Sequence, residues 1–309
     1  MIMEEKKGFF DRIHNEGFTW KDSLIVILLT YVVLFLVGTI MAAPIEKLFA
    51  KITTDENRAF VTALSGGCCF IGYWIVVLIY CLIVKPDRPL LRAVGKEAKG
   101  NTVKMLLIGF VIGLAANALC IGVAVLHGDI SFTYDSFPLF KLILVFLTVF
   151  IQAGGEEIIS RGFLYQKLRK TYKNPLVAIL VNPIIFVVMH LLQPGINILS
   201  VLSIYVVAIL FSFCVYSLDS LWAAMAIHTT WNFSQSIIFG LPNSGNIGEF
   251  SILKLNADTA KDSVFYHTTF GVEATVTAIA VLALTAFLVY LYGKKKGIKA
   301  LDVWNKQEA

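Results

Sequence analysis

Five stretches of 20 residues or more contain no Asp, Glu, Lys, Arg or His: Leu24 to Ala43, Ala59 to Val84, Met105 to Leu126, Ile196 to Leu218 and Ala274 to Gly293. About 20 apolar helical residues are what a bilayer core about 30 Å thick requires. Inside hydrocarbon only helices and closed barrels satisfy their own backbone N–H and C=O groups. The chain is therefore expected to cross a membrane repeatedly as helices. Its composition agrees, with 57% hydrophobic and 15% charged residues, against about 45–50% and 25% in soluble domains. A soluble globular protein is excluded. So is a disordered or collagen-like chain, since 8 Pro, 22 Gly and short charge runs cannot keep 309 residues solvated.

Three further apolar stretches are interrupted by ionisable groups. Leu142 to about Tyr165 contains Glu156, Glu157 and Arg161, Pro175 to about Leu192 contains His190, and Leu221 to Leu241 contains His228. The expected fold is all-α and polytopic, with about eight transmembrane helices. It divides into an N-terminal segment 1–23, three N-terminal spans in 24–137, a core in 138–241, an extracytoplasmic loop 242–273, and a last span with a basic tail in 274–309. The 23-residue charged start is longer than a signal-peptide n-region, so Leu24 to Ala43 reads as a span although Ala42 and Ala43 mimic a cleavage site. With eight spans, 20 loop Lys and Arg fall on the side of both termini and 5 on the other, which by the positive-inside rule places both termini in the cytoplasm of a multi-pass protein of the cell membrane. A basic excess beside hydrophobic spans suits a bilayer surface and does not suggest nucleic acid. The five cysteines sit in apolar stretches, without disulfide or zinc-type spacing.

An ionisable side chain within a membrane span costs at least about 2.5–3.5 kcal/mol and is a candidate functional group by default. One such segment reads Gln152-Ala-Gly-Gly-Glu156-Glu157-Ile-Ile-Ser160-Arg161-Gly162-Phe163. Residues four apart share a helix face, so Glu157 can pair with Arg161. Glu156, about 100° round the helix, points elsewhere beside Gln152 and Ser160 and is suited to act as a general base. A second segment places Asn182, Phe186 and His190 on one face, and a third places His228, Asn232 and Gln235 on another. Each alone reads equally well as packing or interhelical hydrogen bonding. Counted at 1.5 Å per residue from their anchors, however, Glu156, His190, His228 and Asn232 lie at depths of roughly 16, 24, 14 and 20 Å. Groups that must act together have to agree in depth, and scattered packing residues need not.

The segments Glu156-Glu157-x-x-x-Arg161-Gly162, Phe186-x-x-x-His190 and His228-x-x-x-Asn232, in that order, resemble the CAAX protease and bacteriocin-processing (Abi) family, which includes the type II CAAX prenyl endopeptidases. The resemblance covers about Leu142 to Gly240. Ser160 departs from it, since the family usually has a bulky apolar residue before the Arg-Gly. The resemblance implies an intramembrane endopeptidase acting on a membrane-associated, hydrophobic or prenylated peptide or a lipidated protein. It implies that Glu156 and His190 activate water and that His228 and Asn232 stabilise the oxyanion, with Glu157, Arg161 and Phe186 in support.

Zinc is the alternative cofactor, with Glu156, His190 and His228 as its ligands. No His-Glu-x-x-His motif is present, and ligation would consume the groups required as base and oxyanion donors, so a metal-free reaction is expected. Two other functions fit the same residues: a non-catalytic bacteriocin-immunity or scaffold protein that binds a peptide in the polar site, and a proton-coupled transporter. The latter normally shows inverted repeats and paired broken helices, and no such repeat stands out. The basic face and the depth of the polar groups point to substrate reaching the site from the cytoplasmic side or from the inner leaflet.

Overall fold

The computed structural model describes residues 12–305. The ends of the expected N-terminal segment and basic tail, with Lys6, Lys7 and Lys306, lie outside the described residues. The chain order is α1 (Leu24–Ile40), α2 (Ala42–Ala50), α3 (Arg58–Cys68), α4 (Ile71–Ile83), α5 (Val103–His127) and the short strand β1 (Phe132–Tyr134). Then α6 (Leu139–Glu157) runs through a π-helical segment (Ile158–Leu164) into α7 (Tyr165–Thr171), followed by α8 (Pro175–His190) and α9 (Ile198–Leu218). Finally α10 (Leu221–Phe233) ends in a second π-helical turn (Ser234–Ile238), β2 (Leu253–Leu255) pairs antiparallel with β1, and α11 (Val276–Lys296) closes the bundle.

All eight stretches read from the sequence are helices. Six helical segments are long and apolar enough to cross a membrane: α1 with α2, α3 with α4, α5, α6 through α7, α9 and α11. The protein is thus a multi-pass, all-α membrane protein. The other two stretches are shorter, with 16 residues in α8 and 13 in α10 before its five-residue π turn. Their neighbours explain why shortness is tolerated. From Ala223 to Asn232, α10 is buried without a break, so protein and not lipid surrounds it.

Short polar side chains mark where these helices begin. The side chains of Thr102, Ser220 and Thr275 accept from the backbone N–H groups of Met105, Ala223 and Ala278, and Asn197 and Ser200 form a reciprocal capping box at the start of α9. Between α9 and α10 the chain reverses at Asp219 in the left-handed region, at φ +52°. Its carboxylate accepts from the N–H groups of Lys99 at 2.7 Å and Leu301 at 2.8 Å, joining that turn to two distant loops.

Two apolar cores flank the site. One gathers α5, α9, α10 and α11 around Cys120, Phe211, Ile227 and Leu282, and the other gathers α1, α4, α8 and the first π-helical segment around Ile27, Tyr73, Phe163 and Ile179. Small residues bring the backbones together, as expected where lipid offers no hydrophobic drive between helices. A side chain at Gly113 of α5 would lie 2.2 Å from the Ile227 carbonyl of α10, so only glycine permits that crossing. Outward faces carry large apolar residues such as Ile25, Leu29, Val111 and Leu284.

Both ends of the described chain meet on one face. Asn15 donates to the carbonyls of Arg169 and Lys170, Arg92 donates to those of Val303 and Asn305, and the Lys167 and Lys170 ammonium groups sit over the Trp304 ring. A buried ion pair, Lys167 with Asp87 at 3.0 Å, and a half-buried one, Lys170 with Asp22 at 2.8 Å, tie this face together at α7.

Candidate active site

Where α6, α8 and α10 converge, a cavity of about 650 Å³ is lined by Gln152, Glu156, Phe186, His190, His228 and Asn232 among apolar side chains. The four residues read as catalytic and the supporting Phe186 therefore share one wall-enclosed space. Glu157 and Arg161 lie behind that wall and are fully buried.

The buried pair has more partners than i, i+4 spacing alone foretells. Arg161 Nη1 donates to Glu157 Oε1 at 3.1 Å and Nη2 donates to the Ala208 carbonyl at 3.0 Å. Its guanidinium lies 4.5 Å from the Phe186 ring centre and 5.2 Å from that of Phe211, a cation–π sandwich. Glu157 also receives Nδ1 of His228 at 3.1 Å. A carboxylate only accepts, so this nitrogen carries hydrogen, and Nε2 points instead toward Glu156, 3.9 Å from its Oε2. Phe211 stacks on the same imidazole, with centroids 5.0 Å apart. Ring plane and tautomer of His228 are thus both set. Glu156, which has no partner on its own helix face, finds its neighbour across the cavity.

His190 is the last residue of α8. Its Nδ1 lies 2.8 Å from the Phe186 carbonyl, which can only accept, so Nε2 keeps its lone pair. Asn182, read from the sequence on the same polar face, is elsewhere: it is fully buried and donates to the Ser160 carbonyl at 2.7 Å, tying α8 to the π-helical segment. Gln235 likewise serves the fold, accepting from Asn117 at 2.9 Å and donating to the Pro242 carbonyl. A π-helical segment begins directly after Glu157 and another shortly after Asn232. Such wide turns recur at functional sites, where they re-aim side chains without ending the helix.

Approach was expected from the basic side or from the inner leaflet, and the loop residues that line the cavity lie on the other side. Besides the helices, its lining includes Arg58, Asn243, Ser244, Asn246, Gly248 and Glu249, on the side away from the paired chain ends. No lining residue comes from the basic face. The reason is the packing of Asp22, Asp87, Lys167 and Lys170, which ties that face together. Sequence reading also passed over Glu273, Trp231 and Ser244, all in the cavity wall. Glu273 falls in the stretch read as a loop, where a lone acid carries no depth signal, and the structure places it in a short 3-10 turn, Val272–Ala274.

A second cavity of about 550 Å³ lies between α1, α2 and α3, lined by Thr39, Ala42, Glu46 and Phe49, and shares Thr62, Gly66 and Phe70 with the first. As for zinc, Glu156, His190 and His228 do not form a metal-binding group: among the described residues no three His, Cys, Asp or Glu side chains are gathered to hold an ion.

Fold and site together define a helical membrane protein with carboxylates and imidazoles facing one enclosed cavity. Residues 138–234 match the family model of Rce1-like type II CAAX prenyl endopeptidases, and this segment contains Glu156, Glu157, Arg161, Phe186, His190, His228 and Asn232 but not Gln235 or Glu273. No curated protein and no solved structure gives a significant match to the chain.

Proposed function

We propose that the protein is an intramembrane endopeptidase that hydrolyses a peptide bond of a membrane-associated substrate without a metal ion. The observation that carries this reading is the common lining of one cavity by Glu156, His190, His228 and Asn232, in the segment that matches the endopeptidase family. Glu156, with the lone pair of His190 Nε2, takes a proton from a water molecule as that water attacks the scissile carbonyl. His228, carrying a proton on both ring nitrogens between the Glu157 and Glu156 carboxylates, donates from Nε2, and the Asn232 amide donates beside it, to the oxygen on which negative charge develops. As the C–N bond breaks, the proton held by Glu156 passes to the leaving amine. General-base assistance contributes about 10²–10⁴-fold, and each oxyanion donor in a dry site about 2.7–4 kcal/mol. Glu157 accepts from Nδ1 and so orients the ring and favours its protonated form, the part a third group plays in a nucleophile–base–orienter set.

The test is cleavage of a prenylated CAAX peptide and of an unprenylated hydrophobic peptide by the purified full chain in lipid. Wild type is expected to release the product and Glu156→Gln is not. Equal turnover by both would overturn the assignment. Peptide binding without cleavage by folded wild type would move the protein to the non-catalytic class, and proton flux in vesicles to the transporters.

A further inference from the structure

The turn 243–246 roofs the catalytic cavity, and one buried carboxylate ties it to the helix that carries His228 and Asn232. Glu273, immediately before α11, is 9% exposed. Its Oε1 accepts from Trp231 Nε1 of α10 at 3.0 Å, and its Oε2 accepts from both the backbone N–H and the hydroxyl of Ser244, at 2.7 and 2.9 Å. Three donors therefore meet two oxygens. The turn itself is closed by paired backbone hydrogen bonds between Asn243 and Asn246, both 2.9 Å. Ser244 lies in the left-handed region at φ +48°, a conformation that a residue with a side chain adopts only when its surroundings enforce it. At Gly245, φ +80°, a side chain would lie 2.2 Å from the Pro194 carbonyl, so the roof is pressed against the loop that follows His190. Asn243 reaches the Asn232 carbonyl at 3.5 Å.

We infer that Glu273 is a positioning residue of the active site, fastening the 243–246 roof to α10 so that substrate is held between the roof and the catalytic groups. A carboxylate is the only common side chain that can do this at both ends. Glutamine offers one acceptor oxygen and an NH₂ group, so either Trp231 or Ser244 would face a donor instead of an acceptor. The kinetic consequence rests on the peptidase reading, whereas the fastening of the roof does not. Glu273 and the 243–246 turn also lie outside the family-matched segment.

Hydrogen exchange by mass spectrometry on the full chain in lipid tests the fastening directly. In Glu273→Gln, peptides covering 242–250 are expected to exchange at least fivefold faster, with α9 and α11 peptides unchanged, and Glu273→Asp is expected to recover part of the protection. With a prenylated CAAX peptide as probe, KM should rise at least fivefold in Glu273→Gln while kcat changes less than twofold. Exchange that stays at the wild-type rate in 242–250 would overturn the inference, as would a fall in kcat at unchanged KM. If Glu273→Gln does not fold, Trp231→Phe, which removes the arm to α10, carries the same exchange readout, and Ser244→Ala, which removes the hydroxyl's bond and leaves that of the backbone N–H, carries a smaller one. If wild type cleaves no peptide, the peptidase reading fails while the exchange result still decides the roof.

Discussion

Nδ1 of His228 and Nη1 of Arg161 converge on the same oxygen, Oε1 of Glu157, each at 3.1 Å. One buried carboxylate thus does two things: it neutralises a buried guanidinium and it orients an imidazole on another helix. Its neighbour Glu156 faces the cavity, where its ion-pair partner among the described residues is His228, at 3.9 Å. Adjacent residues of identical chemistry are therefore expected to respond to the same substitution in opposite ways.

Glu156→Gln should leave thermal stability in detergent close to wild type and lower kcat/KM by about 10³-fold, the loss expected on removing a general base. Glu157→Gln should destabilise by about 3–5 kcal/mol, because Arg161 is left charged and unpaired at zero exposure. Thermal unfolding and peptide cleavage measured on both variants distinguish these outcomes. A stable, active Glu157→Gln protein would contradict the orienting role.

Gly113→Ala is expected to cost about 1–3 kcal/mol, since the new methyl group would meet the Ile227 carbonyl at 2.2 Å and push α5 away from α10. The same displacement shifts His228, one residue further along α10, so activity should fall with stability. Unfolding temperature and turnover are the measurements, and an unchanged value of both would show that the crossing can widen freely.

Activity should persist in 1,10-phenanthroline. Both nitrogens of His228 face carboxylates, and Nδ1 of His190 is engaged by the Phe186 carbonyl, an arrangement suited to proton transfer and donation. Inactivation that added zinc reverses, together with stoichiometric zinc in the purified protein, would establish a metal centre instead.

The cavity should be reached from the side opposite the chain ends. A cysteine at Ser236, which lines the cavity, is expected in a background lacking the native cysteines to react with a charged maleimide from the side opposite a C-terminal tag, and substrate should block the reaction. Labelling from the tagged side alone would restore approach through the basic face.

On the basic face, Asp22 provides a pH-dependent clamp. Burial by itself raises its carboxyl pKa, but the Lys170 ammonium at 2.8 Å and hydrogen bonds from Thr19 outweigh burial and hold it below its ordinary value. The folded state therefore binds fewer protons at this group than the unfolded one, and the clamp's contribution is complete above the unfolded pKa of about 4 and lost as pH falls through the lower native value. Asp22→Asn should be less stable than wild type at pH 7, and the difference should vanish in acid. A constant difference at all pH values would show that charge plays no part.

The positions of the helices were legible because hydrocarbon permits almost nothing else: the expected start at Leu221 and the observed start of α10 coincide, and Pro175 begins α8 as read. The Glu157 to Arg161 contact was legible from i, i+4 spacing, and the meeting of Glu156, His190, His228 and Asn232 on one cavity was foreshadowed by their similar depths. The Glu157 to His228 bond was not, because it joins residues 71 apart in the chain, and no local periodicity encodes which faces of α6 and α10 confront each other. The π-helical turns leave no distinguishing residue pattern. Loop charge reports orientation in the membrane and carries no signal for which loops line the cavity, where Arg58 and Glu249 stand beside Asn243 and Gly248.

Between the cavity lined by Glu156 and His228 and the second cavity next to α1 and α2 stand Thr62, Gly66 and Phe70, which line both. A side chain grown at Gly66 would meet nothing within 4 Å, so this position is free to vary without disturbing the bundle. Substitution there can only add atoms, so it narrows the room beside the partition in steps set by side-chain size while leaving Glu156, His190, His228 and Asn232 untouched, which gives a lineage a graded and reversible means of shifting which molecules fit.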